Sequence, residues 1–438
     1  MTESPSKSKT TKNTHITNIR YPYAKTWDKL NTSVEFELAN IHFSTSNSIR
    51  RLMLSGVKSV GFRTEPYTDC DIEVKENDTP LHNQFILHRL GMIPINVPKP
   101  DTFNVDDFEF IIDISNNTNE NRLITTEDFQ IKQISTNKML PREEVKNFFP
   151  PDAITGDYIL LNKLRPKYFV AHKSLSSEVV KEMSKDFNRS TEDVMRFHIV
   201  GKASISNGAE NGHYCPVACA CYVNTVDPER AKEGLQSYID KHMEETKINN
   251  TTPMSHEALA RRFELTERSR YYYINDRGDP NVFTFKIETV GVIPPLIVFH
   301  RAIDLLKDKI NHFLGNLVSK NENEIEITPS KQLNDGFDLK VKNEDDTLGA
   351  IIQSHLCMLY SDFALPKEQR LLTYIGYKRP HPLENHIIFV IQGKTNKFEE
   401  IVATIIKPGC AEIIKMLNKI QNEMEGTSYF VKELKSIQ

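Results

Sequence analysis

Val34-Glu35-Phe36-Glu37-Leu38-Ala39-Asn40-Ile41-His42-Phe43-Ser44-Thr45-Ser46-Asn47-Ser48-Ile49-Arg50-Arg51-Leu52-Met53-Leu54-Ser55-Gly56-Val57 changes its hydrophobic period halfway along. Val34, Phe36 and Leu38 alternate with polar neighbours, which reads as a half-buried strand. Ser44, Thr45 and Ser46 then offer N-caps for a helix. On that helix Ile49, Leu52, Met53 and Val57 recur at spacings of three and four, giving one apolar stripe with Gly56 near its end. The unit is strand, short polar turn, amphipathic helix.

The unit recurs downstream. Phe337, Leu339 and Val341 alternate, and Asp345-Asp346-Thr347 caps a helix with Leu348, Ile351, Ile352, His355, Leu356 and Leu359 on one face. A single offset places Val34, Phe36 and Leu38 on Phe337, Leu339 and Val341, and Ile49 on Ile352. Each unit is followed much later by a terminal amphipathic helix. Pro295 opens the first, which carries Phe299, Ala302, Ile303, Leu306, Ile310, Phe313, Leu314 and Leu317; the second carries Ile413, Ile414, Leu417, Ile420 and Met424. This is the repeat of a whole domain and not a solenoid period.

Around these units the chain is patchier. Residues 1–30 read as a disordered tail rich in Ser, Thr and Lys. Thr79 and Pro80 open a short helix that ends at Gly91. Phe108–Ile114 and Tyr158–Leu161 read as strands, 174–197 as helix, and 227–280 as a charged stretch holding Tyr271-Tyr272-Tyr273. Residues 282–289 alternate as a strand. Ser319–Asp335 reads as a polar linker with a short strand at Ile325 and Ile327.

The chain has 438 residues, and at about 150 residues per domain this predicts roughly three domains. Lys and Arg number 55 against 59 Asp and Glu, so the net charge of −4 excludes a dedicated polybasic nucleic-acid coat. Six scattered cysteines make no disulfide framework and fit a reducing compartment. The most apolar stretch, Val292–Phe299, is short and broken by Pro294 and Pro295, so no membrane association is expected and the chain reads as intracellular.

Chemistry is sparse. Neither phosphate-cradling glycine loop, no nucleophile elbow and no His-Glu-x-x-His helix occurs. Asp69-Cys70-Asp71 lacks the third carboxylate that metal-assisted polymerisation needs. Cys215, Cys219 and Cys221 with His213 are the one candidate metal cluster, but zinc prefers separated ligand pairs. On a strand from Val217 to Val223, Cys219 and Cys221 instead share one face as small hydrophobes. His82 and His88 lie on or beside the short helix without a partner for a triad.

Several segments resemble a known family. Ser46-Asn47-Ser48-Ile49-Arg50-Arg51-Leu52-Met53-Leu54, Leu81-His82-Asn83-Gln84-Phe85-Ile86-Leu87-His88-Arg89-Leu90-Gly91-Met92-Ile93-Pro94, Gly212-His213-Tyr214-Cys215-Pro216-Val217-Ala218 and Gly291–Asp304 are similar to the alpha family of multisubunit DNA-dependent RNA polymerases. The resemblance is to the third-largest subunit of the eukaryotic polymerase II and its archaeal counterpart. Glu344-Asp345-Asp346-Thr347-Leu348-Gly349 and Gly376-Tyr377-Lys378-Arg379-Pro380-His381-Pro382-Leu383-Glu384-Asn385 resemble the small alpha-like partner subunit. Two chains in cells thus run on here in one polypeptide, an arrangement associated with nucleocytoplasmic large DNA viruses.

The resemblance implies an α+β fold of two tandem, pseudo-equivalent alpha-type dimerisation modules. The first covers 31–58 and 206–320, interrupted by a mainly β insert at 59–205, and the second covers 323–438. It implies a non-catalytic platform subunit, paired within itself and nucleating assembly of the largest and second-largest polymerase subunits. No direct sequence-specific nucleic-acid binding is expected. Location in host cytoplasm and virion is the matching expectation. Asn47, Arg50, Arg51, His82, His88 and Arg89 are the implied partner interface; Ile49, Leu52, Met53, Leu348, Ile351, Ile352 and Leu356 are the implied internal pairing face. Relatives carry zinc or iron–sulfur cysteines in the insert, whereas Cys70 is the only cysteine between Ser59 and Ile205. No cofactor is therefore expected. A metal-binding enzyme using Cys215, Cys219 and Cys221, or an interaction scaffold outside transcription, are the alternatives.

Overall fold

In the computed structural model, which describes residues 15–24, 31–118, 120–165, 195–248, 254–362, 365–366 and 369–437, the alternating stretch is strand β2 (Ser33–Ala39) and the striped one is helix α1 (Phe43–Ser55). The cap differs from expectation. His42 is the N-cap, its Nδ1 accepting from the Ser44 N–H at 3.2 Å. Ser44, Thr45 and Ser46 therefore lie inside the helix and are buried.

β2 is preceded by β1 (Ile16–Arg20), which corrects the disordered-tail expectation for this part of the tail; residues 1–14 and 25–30 lie outside the described residues. Ile16 pairs with Leu38 and Thr17 with Glu37, but the register slips before Arg20, and Asn18 has φ 54°. That bulge breaks the period of two and hides the strand from pattern reading.

The chain then leaves the first module along β3 (Lys58–Gly61) and returns along its antiparallel partner β11 (Ser204–Asn207). Between them lie β4 (Ile72–Asn77), α2 (Asn83–Gly91), β5 (Phe108–Asn116), β6 (Arg122–Thr125), β7 (Gln130–Gln133), β8 (Lys138–Met139), α3 (Arg142–Phe148), β9 (Leu160–Leu164) and β10 (Met195–Gly201). A sheet ordered β4-β10-β5-β7-β8 covers a separate core with Phe62, Phe110, Phe129 and Phe197 at its centre. Three expectations shift here. α2 begins at Asn83 and not at Pro80, because His82 caps it and the Thr79 hydroxyl is taken by Asn77 and Asn162. The Tyr158–Leu161 strand forms at Leu160–Leu164. Of the helix read at 174–197, residues 174–194 lie outside the described residues and Met195–Phe197 belong to a strand between β4 and β5.

The return meets the end of α1. The Ala209 N–H donates to the Ser55 carbonyl, one of the helix's orphan acceptors, at 3.1 Å. A Cβ at Gly208 would sit 2.1 Å from the Leu54 carbonyl oxygen. Backbone cannot step aside as a side chain can. Gly208→Ala is expected to lower stability by about 1–3 kcal/mol, read by urea unfolding, although its change in volume is one methyl group.

β12 (Val217–Asn224), α4 (Pro228–Ile248), α5 (His256–Thr266), β13 (Val282–Thr289) and α6 (Pro295–Ser319) complete the first module. α4 and α5 carry the charged stretch, and Tyr238, Phe263 and Tyr271 make ring contacts between them. The tyrosine run is fixed by backbone bonds: Asp227 N–H donates to the Tyr271 carbonyl and Tyr273 N–H to the Thr225 carbonyl. The expected linker is tight. Lys320 caps α6 in the left-handed region (φ 51°), the Asn321 N–H returns to the Asn316 carbonyl, and only residues 320–324 precede β14 (Ile325–Pro329).

The second module continues with β15 (Phe337–Lys342), α7 (Asp346–Tyr360), β16 (Leu372–Lys378), β17 (His386–Gly393), α8 (Phe398–Ile401), a π turn at Val402–Ile406, α9 (Lys407–Glu425) and α10 (Ser428–Ser436). The π turn sits just before Pro408, whose ring cannot be accommodated in a regular α ladder. The two sheets have the same topology: β1-β2-β13-β12 in the first and β14-β15-β17-β16 in the second, all antiparallel. Hence α1 corresponds to α7, as the sequence offset predicts, and α6 to α9, as the terminal amphipathic helix after each unit predicts. Residues of α1, α6, α7 and α9 share one apolar cluster with the inner faces of both sheets, from Phe36 and Phe285 through Phe299, Met53 and Leu356 to Phe389.

Candidate functional site: the helix layer and its rim

Where α1 meets α7, apolar and polar contacts alternate. Ile49, Leu52, Met53, Leu348, Ile351, Ile352 and Leu356 are all buried, none above 4% exposed. Leu359, expected on the same stripe, is 38% exposed because α7 runs out at Tyr360. Between the apolar residues, the small side chains of α1 reach across: the Ser44 and Ser354 hydroxyls lie 2.6 Å apart, and the Ser48 hydroxyl donates to the Thr347 carbonyl at 2.9 Å. The Ser44 hydroxyl also lies 2.8 Å from Nδ1 of the capping His42, so it ties the helix start to α7.

Arg51 closes the layer. Its Nε donates to the Thr347 hydroxyl at 2.9 Å and its Nη2 to the Asp345 carboxylate at 2.8 Å. Asp345 is also the N-cap of α7, accepting from the Thr347 N–H at 3.0 Å. Burial opposes its ionisation, but hydrogen bonds from Thr347 and Arg51 outweigh this and hold its carboxyl below the usual range. The Arg51 guanidinium, expected at an outside partner, is thus engaged within the chain by these two bonds. Arg50 takes another direction, with Nε and Nη2 both donating to Asn47 Oδ1 at 3.1 and 2.9 Å. α6 and α9 form the matching polar rim, with His300 Nε2 2.8 Å from Glu425, Gln421 Nε2 donating to Asp304 at 2.9 Å, and Lys307 bound to Asn418.

His355 is buried in the same layer, its Nδ1 2.9 Å from the Ile351 carbonyl and its Nε2 3.4 Å from the Thr45 hydroxyl. Burial lowers its pKa from 6.5 to about 4, so the neutral ring is the folded form. A group with a lowered folded pKa binds fewer protons folded than unfolded, and stability falls as pH drops through the window from 6.5 to 4. This residue is expected to remove about 3 kcal/mol across that window. Urea unfolding at stepped pH checks it, and His355→Met should flatten the slope there.

The remaining predicted interface residues lie on the insert. His82 is exposed and caps α2 through Nδ1, His88 is exposed, and Arg89 donates Nη1 to the Leu161 carbonyl at 2.9 Å. They flank Phe85 and Met92, which are 65% and 63% exposed and which the sequence reading did not single out. The insert has its own core, so α2 and α1 are not parts of one packed cluster.

Cys219 and Cys221 share one face of β12, opposite Glu288 and Lys286, with their sulfurs 3.9 Å apart. Cys215 instead donates its thiol to the Val217 carbonyl at 3.2 Å. Burial pushes the Cys215 and Cys221 thiols up. Among the described residues no group of three or more His, Cys, Asp or Glu side chains is placed to hold a metal ion. No helix among them is long and apolar enough to cross a membrane.

The fold and its helix layer define a duplicated α+β assembly module. Comparison with known proteins gives the family: the RNA polymerase Rpb3/Rpb11 dimerisation domain matches residues 35–310, more than half of the chain, and a second Rpb3/Rpb11 dimerisation profile matches 337–423. The chain belongs to this family and carries its domain twice in tandem. Among similar proteins, the conjugation stage-specific protein of Tetrahymena thermophila is 23% identical over 66% of this chain and 92% of its own length. The DNA-directed RNA polymerases I and III subunit RPAC1 of Mus musculus is 22% identical over 65% of this chain and 81% of its own. The DNA-directed RNA polymerase subunit Rpo3 of Pyrococcus furiosus is 34% identical over 19% of this chain and 28% of its own. By family the chain is alpha-like, and what it carries twice is a domain of assembly and not of catalysis.

Proposed function

We propose that the chain is the fused alpha-like platform of a multisubunit DNA-directed RNA polymerase, in which the two modules pair within one polypeptide and their outer surface nucleates the largest and second-largest subunits. The observation that carries this reading is the identical strand order of the two sheets around one shared helix core. An interface of that kind, apolar at its centre and continuous with both cores, resembles obligate pairings and not transient ones. The tight junction at residues 320–324 adds to it, since a rigid connection holds the modules in one register where a flexible tether only raises their local concentration.

The test is affinity capture of the tagged full chain from its native source. Recovery of two very large polymerase subunits supports the platform; recovery of other proteins without them favours a scaffold outside transcription. Elemental analysis of the same material addresses the enzyme alternative, for which one zinc or iron per chain would be required. We also propose, on the resemblance of the tandem arrangement alone, that the protein belongs to a large DNA virus and acts in host cytoplasm and virion, which fractionation of infected cells checks.

A further inference from the structure

Helix α6 begins without a cap of its own. Pro294 occupies the N-cap position and Pro295 the first helical one, and neither has a polar side-chain atom to offer the helix start. The first amides that need an acceptor are those of Leu296 and Ile297, both buried, at 0% and 4% exposure. The acceptor comes from the second module: Glu433 on α10 receives both amides on Oε2, at 2.9 and 3.3 Å. Its other oxygen, Oε1, accepts from the Tyr21 hydroxyl at 2.5 Å, just beyond β1. The Tyr21 ring also contacts Tyr429 on α10, with centroids 5.7 Å apart, and the His15 and Ile16 amides donate to Glu423 on α9 at 2.5 and 3.3 Å.

We infer that Glu433 is a shared cap through which α10 and the β1 segment together lock the start of α6, so that loosening any one of the three loosens the other two. A buried carboxylate shared by three donors from two different segments loses part of its hydrogen bonding when either segment leaves, and the α6 amides lose their acceptor when α10 does. The lock therefore couples the docking of α10 onto the first module to the pairing of β1 with β2. It is independent of the polymerase reading, since it concerns contacts within the chain alone. Burial raises the Glu433 pKa to about 7 against the hydrogen bonds from Tyr21, Leu296 and Ile297, so its neutral acid is an accessible form and Gln is a close mimic of it.

Hydrogen–deuterium exchange on the full chain tests the coupling. Glu433→Ala is expected to raise exchange at Leu296 and Ile297 by about tenfold, and to raise it in Ile16–Arg20 and Ser428–Ser436 as well, with β16 and β17 unchanged. Glu433→Gln keeps an oxygen for the two amides and should stay within about threefold of the parent there. Tyr21→Phe touches neither α6 amide, yet on this inference it too raises exchange at Leu296 and Ile297. If Tyr21→Phe leaves those amides at the parental rate, or Glu433→Ala does so, the shared lock is wrong. Should Glu433→Ala unfold globally, the Tyr21→Phe result decides alone.

Discussion

Ile352→Asp is expected to lower the unfolding free energy of the full chain by about 3–5 kcal/mol, against about 0.5–1.5 kcal/mol for Ile352→Val. The side chain is 1% exposed and sits in the cluster shared by α1, α6, α7 and α9. A carboxylate there loses its water, and two cations of the helix layer are already engaged, Arg51 with Asp345 and Thr347 and Lys309 with Glu344. Because the site faces the first module's helices, the effect should be larger on pairing than on the second module's own sheet. Fragments 1–320 and 321–438, co-expressed, are expected to co-purify as wild type and to separate when Ile352 is Asp. Wild-type fragments that ignore each other would overturn the internal pairing.

What the sequence shows and what it hides follow from the range of the physics involved. The β2–α1 and β15–α7 units are legible because burial imposes a period of two and then a stripe at helical spacing, both local. Their common offset is legible for the same reason, and with it the tandem architecture. β1 is not, because a bulge at residues 17–20 breaks its alternation, although its counterpart β14 is visible through Ile325 and Ile327. The polar half of the site depends on distant partners. Nothing near Arg51 in sequence says that its guanidinium will meet Asp345, and nothing near Glu433 says that it will cap Leu296. The serines of α1 mislead for a related reason: Ser, Thr and Asp are the usual caps, and here a histidine takes that place while Ser44 and Ser48 make cross-module contacts.

That division also separates the two adjacent arginines, which single substitutions should distinguish. Arg51→Glu removes two donors to α7 and sets a second carboxylate against Asp345. Both side chains are about a third exposed (35% and 34%), so solvent screens the repulsion, and the expected loss is about 1 kcal/mol of stability. Circular dichroism should be unchanged and urea unfolding should shift modestly. Among the described residues Arg50 bonds to Asn47 on its own helix, a local contact worth a few tenths of a kcal/mol at most, so Arg50→Glu is expected to leave unfolding within about 0.5 kcal/mol of the parent. Its effect should fall on assembly. A guanidinium and an amide presented together suit a carboxylate or carbonyl on a partner, and reversing the charge makes that contact repulsive. Capture of the two large subunits by Arg50→Glu is expected to drop about tenfold or more while Arg51→Glu retains most of it. Full capture by the Arg50 variant would take Asn47 and Arg50 off the assembly surface, and loss of capture by the Arg51 variant alone would show that the partner reads the paired module and not the arginine rim.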